Sequence, residues 1–230
     1  MPPVALFGPT STAMRAVTNG GIMVGIGLSA LGWARLFKQP ASAYHDMIVP
    51  LERLTGPAVP RLLSGVLAAA PDEHAVKPIL DAVLAPLLTT PNPDEAVIRD
   101  LSVLLIDPEV SQVRTVAGRL ELSPRSLSRI TSQYFGMPAK PLLRRARFLR
   151  SMTRLMRQPA GQYIRDIDPS YYDASHFLRD ADYFLGMTPR RFMAMPTPFL
   201  DASILARAAV LGAPTQVLHD PASTPANASR

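Results

Sequence analysis

YYDASHFLRDADYFLGMTPRRFM, residues 171–193, packs a polar-faced helix, a Gly-Met stop and a Thr-Pro restart into one short stretch. Shifting the chain by 50 residues sets a second copy beside it. Ser123 falls on Asp173, Leu127 on Phe177, Arg129 on Arg179, Gly136-Met137 on Gly186-Met187, and Lys140 on Arg190. One small unit therefore occurs twice, and the fold follows from what that unit is.

The first copy can be read physically. SQVRTVAGRL places Val113, Val116, Ala117 and Leu120 at helical spacing. Ser123 is a good N-cap, and Pro124 takes the first helical position, where its missing N–H costs nothing. The next helix turns Leu127, Ile130 and Tyr134 inward and lines its outer face with Arg125, Ser126, Arg129 and Gln133, and Gly136 is placed to end it. A short helix, a tight turn and a polar-faced second helix make a helix-turn-helix, whose second helix can lie in a DNA major groove. In the second copy Asp173 is the cap, Phe177 and Phe184 point inward, and Ser175, His176 and Arg179 point outward.

Between the copies lies AKPLLRRARFLRSMTRLMRQ, with no acidic residue from Ala139 to Gly161. Leu142, Ala146, Leu149 and Met152 form an apolar stripe, and Arg147, Arg150, Arg154 and Arg157 a basic one. A helix of about 18 residues spans roughly 27 Å, against about 34 Å for one turn of DNA. Such a helix could hold two reading heads in successive major grooves.

Charge agrees with this placement. Residues 1–110 hold 7 basic and 10 acidic side chains, residues 111–193 hold 15 and 6, and the remainder balances. A basic segment flanked by neutral or acidic ones points to a polyanionic partner. Only three of the 24 basic residues are lysine, and the arginine fork suits bidentate phosphate or guanine contacts.

Three regions precede and follow the repeat. Residues 1–36 carry β-type runs, VALFGPT and GGIMVGIGL, with Gly and Asn-Gly turn signals. Residues 41–90 read as helical, from AYHDMIVPLERL to HAVKPILDAVLAPLL. TTPNPDE is then a linker in which Asn92 or Asp94 caps a helix over roughly 95–106. Beyond Pro196 the composition is that of a disordered tail. The uncharged stretch from Ala16 to Ala34 is too short and too polar for a membrane span.

Residues 111–195 resemble the AraC/XylS family of bacterial transcription regulators. The resemblance is carried by SPRSLSR with Gly136 downstream, the linker helix ending near RFLR, and above all YYDASHFLRD followed by GMTPRRF. It implies a mainly α fold: two helix-turn-helix units joined by a linker helix, preceded by a short β-rich remnant and a helical connector. The implied boundaries are 1–90 for a truncated β-barrel-like sensor region with its connector, 91–195 for the DNA-binding part and 196–230 for the tail.

The implied partner is double-stranded DNA, in a bacterial cytoplasm and without a membrane. RNA polymerase and a second copy of the chain are further partners the family's mode of action allows. The small-molecule effector is left unassigned, and no cofactor is expected. The residues implied at the DNA are Ser123, Arg125, Ser126, Arg129, Gln133, Lys140, Arg144, Arg147, Ser175, His176, Arg179 and Arg190. For Arg125 and Arg129 the readings are guanine edge, phosphate or plain solvation. For Arg144, Arg145, Arg147 and Arg150 they are DNA backbone or a solvated helix face.

The chain departs from the family pattern at several positions. An aromatic residue usually stands two places after each recognition-helix arginine, where this chain has Thr131 and Ala181. The glycine usual before YYD is Ser170, and Asp166 and Asp168 fall where a core would sit. These departures motivate a second reading: a truncated member that pairs with proteins and no longer reads DNA.

Enzyme readings find little. There is no Gly-x-Ser-x-Gly, no His-Glu-x-x-His and no phosphate-binding Gly-Lys-Ser/Thr. Zero cysteines exclude a cysteine nucleophile and thiolate-rich metal, and the four histidines (45, 74, 176, 219) are scattered.

Overall fold

The computed structural model describes residues 2–14, 24–69, 73–156 and 167–197, and all structural statements concern these. The fold is mainly helical, with one two-stranded antiparallel sheet. β1 (Ala5–Phe7) pairs with β2 (Ile48–Pro50), Leu6 opposite Val49. The helices are α1 (Ala30–Leu36), α2 (Glu52–Thr55), α3 (Ala58–Ala69), α4 (Glu73–Leu84), α5 (Glu95–Ile106), α6 (Val113–Arg119), α7 (Pro124–Ile130), α8 (Ala139–Met156), α9 (Ala174–Leu185) and α10 (Pro189–Met193).

Two expectations for the front of the chain need correction. Residues 24–29, read as strand, are irregular, and the chain enters α1 directly. Ser29 explains the start: its hydroxyl accepts from the Gly32 N–H at 3.1 Å, satisfying a donor that the first helical turn leaves open. The remaining GGIM residues lie outside the described residues. IVP, read as helical, is β2, where Pro50 sits at a strand end and Val49 is buried. The β1 strand therefore gains a partner from a segment whose apolar spacing looked helical.

Three apolar clusters organise the helices. The largest joins Trp33 of α1, Ile98, Leu101 and Leu105 of α5, Val116 of α6, Leu127 and Ile130 of α7, and Leu142 and Ala146 of α8. A second joins Phe148, Met152 and Leu155 of α8 to Tyr171, Phe177, Ala181 and Phe184. A smaller one pairs α3 and α4 through Leu63, Val76 and Leu80. α8 is thus shared: its first half belongs to one core and its second half to the next. It is 18 residues long, as its apolar and basic stripes predict, and its apolar stripe is the surface both cores close upon.

The front region is tied to the first core by polar contacts as well as by Trp33. Arg35 donates to both carboxylate oxygens of Glu95, at 2.7 and 2.8 Å, and to the Leu88 carbonyl at 3.0 Å. Asn92 donates to the Ala34 carbonyl at 3.0 Å. Asp94 stands at the N-cap position of α5 but makes no capping hydrogen bond. Its carboxylate accepts instead from the Tyr134 hydroxyl at 2.8 Å. The linker that was read as a cap is a clasp between the front region and the end of the first repeat.

The two repeat glycines are both left-handed, Gly136 at φ 82° and Gly186 at φ 67°, which is the helix-ending geometry glycine adopts without steric cost. At Gly136 a Cβ would also fall 2.3 Å from Cγ of Pro9. Gly136→Ala should therefore destabilise the fold by more than the ~1–2 kcal/mol of a left-handed residue alone. Gly186→Ala, with open space around it, should show only that smaller loss; calorimetry of the pair measures the difference.

The hydrogen bonds from Arg35, with the Asn92 N–H, hold the Glu95 carboxyl down to about 2, from an ordinary 4.5. Its contribution is complete above about 4.5 and disappears as pH falls through about 2. The wild type should lose thermal stability over that window more steeply than Glu95→Gln.

Candidate nucleic-acid interface

The first unit forms as its caps dictate. Glu121, at φ 54°, turns the chain between α6 and α7, and the Leu122 N–H closes the turn on the Ala117 carbonyl at 2.8 Å. The Ser123 hydroxyl accepts from the Ser126 N–H at 3.0 Å and lies 2.9 Å from the Ser126 hydroxyl. Ser123 and Ser126 are thus engaged in the cap. Arg125 and Arg129 stand exposed on the face opposite Leu127 and Ile130, with no hydrogen bond or ion pair among the described residues.

After Ile130 the helix widens into a π-type turn over Thr131–Phe135. Thr131, in the place of the family's aromatic, is fully buried and its hydroxyl donates to the Ser128 carbonyl at 3.0 Å. Tyr134 is buried beside it with its hydroxyl on Asp94. Gln133 is drawn from the outer face toward the front region, its amide donating to the Lys38 carbonyl at 3.3 Å.

In the second unit, Asp173 caps α9 by accepting from the His176 N–H at 2.7 Å. Ser175 and Arg179 are exposed, and Arg179 makes only a local 3.3 Å contact to the Ser175 carbonyl. Phe184 stacks on Phe148 with centroids 4.9 Å apart, and Phe177 on the same ring at 5.9 Å. The space left by Ala181 is thereby filled. The residues that would form this unit's first helix, including Asp166, lie outside those described, as does Arg157.

Sequence reasoning missed how α9 is fastened. Asp180 is 1% exposed, on the stripe shared by Phe177 and Phe184. Its carboxylate accepts from Arg144 at 2.7 Å, Arg147 at 2.9 Å and the Tyr171 hydroxyl at 2.7 Å. Burial pushes this carboxyl up, but the three donors more than reverse that and hold it below the usual range. Burial and the same carboxylate push the Tyr171 phenol up. Arg147 also lies 4.1 Å from the Tyr171 ring centroid and 3.2 Å from Nε2 of His176. Arg144 covers the Tyr183 ring at 4.5 Å.

A second buried carboxylate works one turn further along. Asp168 accepts from Nε of Arg150 at 2.6 Å, and Arg150 donates in addition to the Leu105 carbonyl, at the end of α5, at 2.7 Å. The Asp168 N–H donates to the Ser151 hydroxyl at 2.9 Å. Arg150 is 5% exposed and belongs to neither a DNA-facing stripe nor a solvated face. Asp168 is not misplaced in a core: it is the counter-charge of Arg150. Ser170 is not left-handed, and its N–H donates to Asp168 at 3.0 Å.

A cleft of about 670 Å³ separates α8 from α9, lined among others by Lys140, Arg144, Arg147, His176 and Arg179. Five of the residues named from sequence thus converge there. Ser123, Arg125, Ser126 and Arg129 form a separate group on α7. Arg190, exposed on α10, follows the Thr188 cap. Among the described residues no cluster of potential ligands could hold a metal ion, and no helix is long and apolar enough to cross a membrane.

Residues 116–195 match the family described as a helix-turn-helix domain. No curated protein and no solved structure gives a match. The matched segment runs from within α6 to just past α10 and spans both the exposed arginines of α7 and the basic cleft. It is an AraC-like helix-turn-helix domain, and in general terms the chain is a DNA-binding regulator.

Asp180 is the test of how α9 is held. Asp180→Leu strands Arg147, whose side chain is 14% exposed, and should cost about 3–5 kcal/mol as for other broken buried pairs. Urea unfolding measures the loss, and amide exchange should accelerate in α9 before α7.

Proposed function

We propose that the chain is a sequence-specific transcriptional regulator that reads two adjacent major-groove segments, one with α7 and its π-type extension, the other with α9. The observation that carries this reading is the division of labour among the arginines. Arg144, Arg147 and Arg150 of α8 are spent on buried carboxylates, whereas Arg125 and Arg129 on α7 stand exposed and uncommitted within a matched helix-turn-helix domain. Cationic side chains left in water on the outer face of such a helix are what groove readout uses.

In this reading Arg125 and Arg129 meet base edges or phosphates in one groove, and Ser175 and Arg179 do so in the next. Lys140, Arg190 and the open sides of Arg144 and Arg147 set affinity through counterion release. His176 orients Arg147 from the α9 side. Ser123 and Ser126 are engaged in the α7 cap and serve to fix the start of that helix. Gln133 serves as a strut to the front region, leaving its share of the contact to Arg129.

The functional partition runs at about residue 90: a front region that supports and regulates, and a DNA-binding part to about 195, followed by a tail. The setting is a bacterial cytoplasm, with RNA polymerase and a second copy of the chain as further partners. The competing reading, a protein-pairing module without DNA readout, is weakened by the packing of positions 131, 170 and 181, which are filled or hydrogen-bonded.

Sequencing of duplexes retained from a random pool gives the operator, and two half-sites about one helical turn apart are expected. On that operator Arg129→Ala should weaken binding by about 1–3 kcal/mol, with a smaller loss on random duplex. An equal loss on both would remove Arg129 from base readout, and failure of the wild type to bind any duplex at low salt would favour the pairing module.

A further inference from the structure

The cleft between α8 and α9 carries more cationic side chains than the fold itself uses. Lys140, Arg144 and Arg147 of α8 and Arg179 of α9 line it, against a single carboxylate, that of Asp180. Four positive charges facing one negative leave an excess of three. Arg144 and Arg147 share the one carboxylate between them, at 2.7 and 2.9 Å.

The excess is not taken up elsewhere. Lys140 is exposed and makes no hydrogen bond or ion pair among the described residues. Arg179 makes only its 3.3 Å contact to the Ser175 carbonyl within α9. Arg144 gives Asp180 its Nε alone, so its two terminal nitrogens have no hydrogen-bond partner among the described residues. Its side chain is 41% exposed. Asp180 and the Tyr183 ring, 4.5 Å from the guanidinium, nonetheless fix that fork in one orientation. A donor already held by the fold loses little freedom when an anion arrives, and that loss is a main cost of binding.

Size and donor type narrow what fits. The cleft, at about 670 Å³, lies within the roughly 300–1,000 Å³ of small-molecule sites. Its cations come from two helices, so an occupant must present several oxygens spread across the gap. A lone carboxylate offers two oxygens and one charge. A diphosphate offers more of both, and guanidinium forks and a lysine ammonium are the donors that phosphate oxygens favour. Leu143 adds an apolar wall for the organic part of an ester.

We propose that the α8–α9 cleft is a binding site for a free diphosphate ester of the nucleoside diphosphate class, separate from groove readout by α7. One consequence rests on the regulator reading, in which Lys140 and Arg179 also serve DNA. A bound diphosphate then lowers duplex affinity, and duplex lowers diphosphate affinity by the same factor.

The test is isothermal calorimetry of the full chain without DNA, at fixed ionic strength, titrated with ADP, pyrophosphate and orthophosphate. Expected is saturable one-to-one binding of ADP and pyrophosphate, with orthophosphate about tenfold weaker or more. Lys140→Gln and Arg179→Gln should each weaken ADP by about tenfold or more, the worth of a hydrogen bond to a charged group. Arg61→Gln, on the exposed surface of α3 and outside the cleft, should leave ADP binding unchanged. Circular dichroism of each variant establishes that it is folded.

Absence of saturable binding by the wild type would overturn the proposal. So would an equal loss in Arg61→Gln, which would mean diffuse attraction to a basic protein. Should ADP and pyrophosphate fail to bind while Lys140→Gln weakens duplex binding, the cleft seats DNA backbone alone and the free ligand is excluded. Because the calorimetry contains no DNA, its failure leaves the regulator reading to its own test.

Discussion

Two carboxylates withdrawn from water, Asp168 and Asp180, fix the geometry of the second half of the molecule. Each is compensated by arginines of α8, at 2.6 Å from Arg150 and at 2.7 and 2.9 Å from Arg144 and Arg147. An uncompensated buried charge is so costly that these groups cannot drift apart without loss of the fold. The orientation of α9 relative to α8 is therefore specified by charge pairing as well as by the stacked Phe148, Phe177 and Phe184. Arg150 carries the constraint further through the Leu105 carbonyl, so that α5, α8 and the approach to α9 move together.

This has a functional consequence for how basic residues are counted. A run of arginines on one helix suggests an electrostatic surface for DNA, yet in α8 three of them neutralise the protein's own carboxylates. Exposed basic side chains remain on α7 at Arg125 and Arg129, on α9 at Arg179 and on α10 at Arg190 and Arg191. A helix that is cationic in sequence is, in the folded chain, mostly a scaffold. The same helix turns Arg145 away from Asp168 and Asp180, toward the front region.

The departures from the family pattern illustrate a second point about compensation. Thr131 gives up an aromatic ring, but the helix widens there and brings Tyr134 into the core with its hydroxyl on Asp94. Ala181 gives up another, and Phe184 takes the space against Phe148. Cores tolerate such exchanges when total volume is preserved nearby. Position-by-position comparison with a pattern registers each loss and misses the neighbour that restores it.

Much of this was legible from residues alone. The repeat, the caps at Ser123 and Asp173, the left-handed glycines 136 and 186, the helix over 95–106 and the two-faced linker helix are local properties, set by spacing and by backbone preferences that need no tertiary partner. The strand at Ile48–Pro50 was not legible, because its short apolar run satisfies a helical spacing equally well and only β1 decides between them. Nor were the roles of Asp168 and Asp180: in sequence an aspartate is a surface residue by default. The one available clue was that Asp180 shares a stripe with Phe177 and Phe184. Whether an arginine on α8 faces water, a carboxylate or a cavity depends on what packs against each side of the helix. Sequence determined that the side chains would be there; the tertiary structure decided which of them were left with charge to offer a partner.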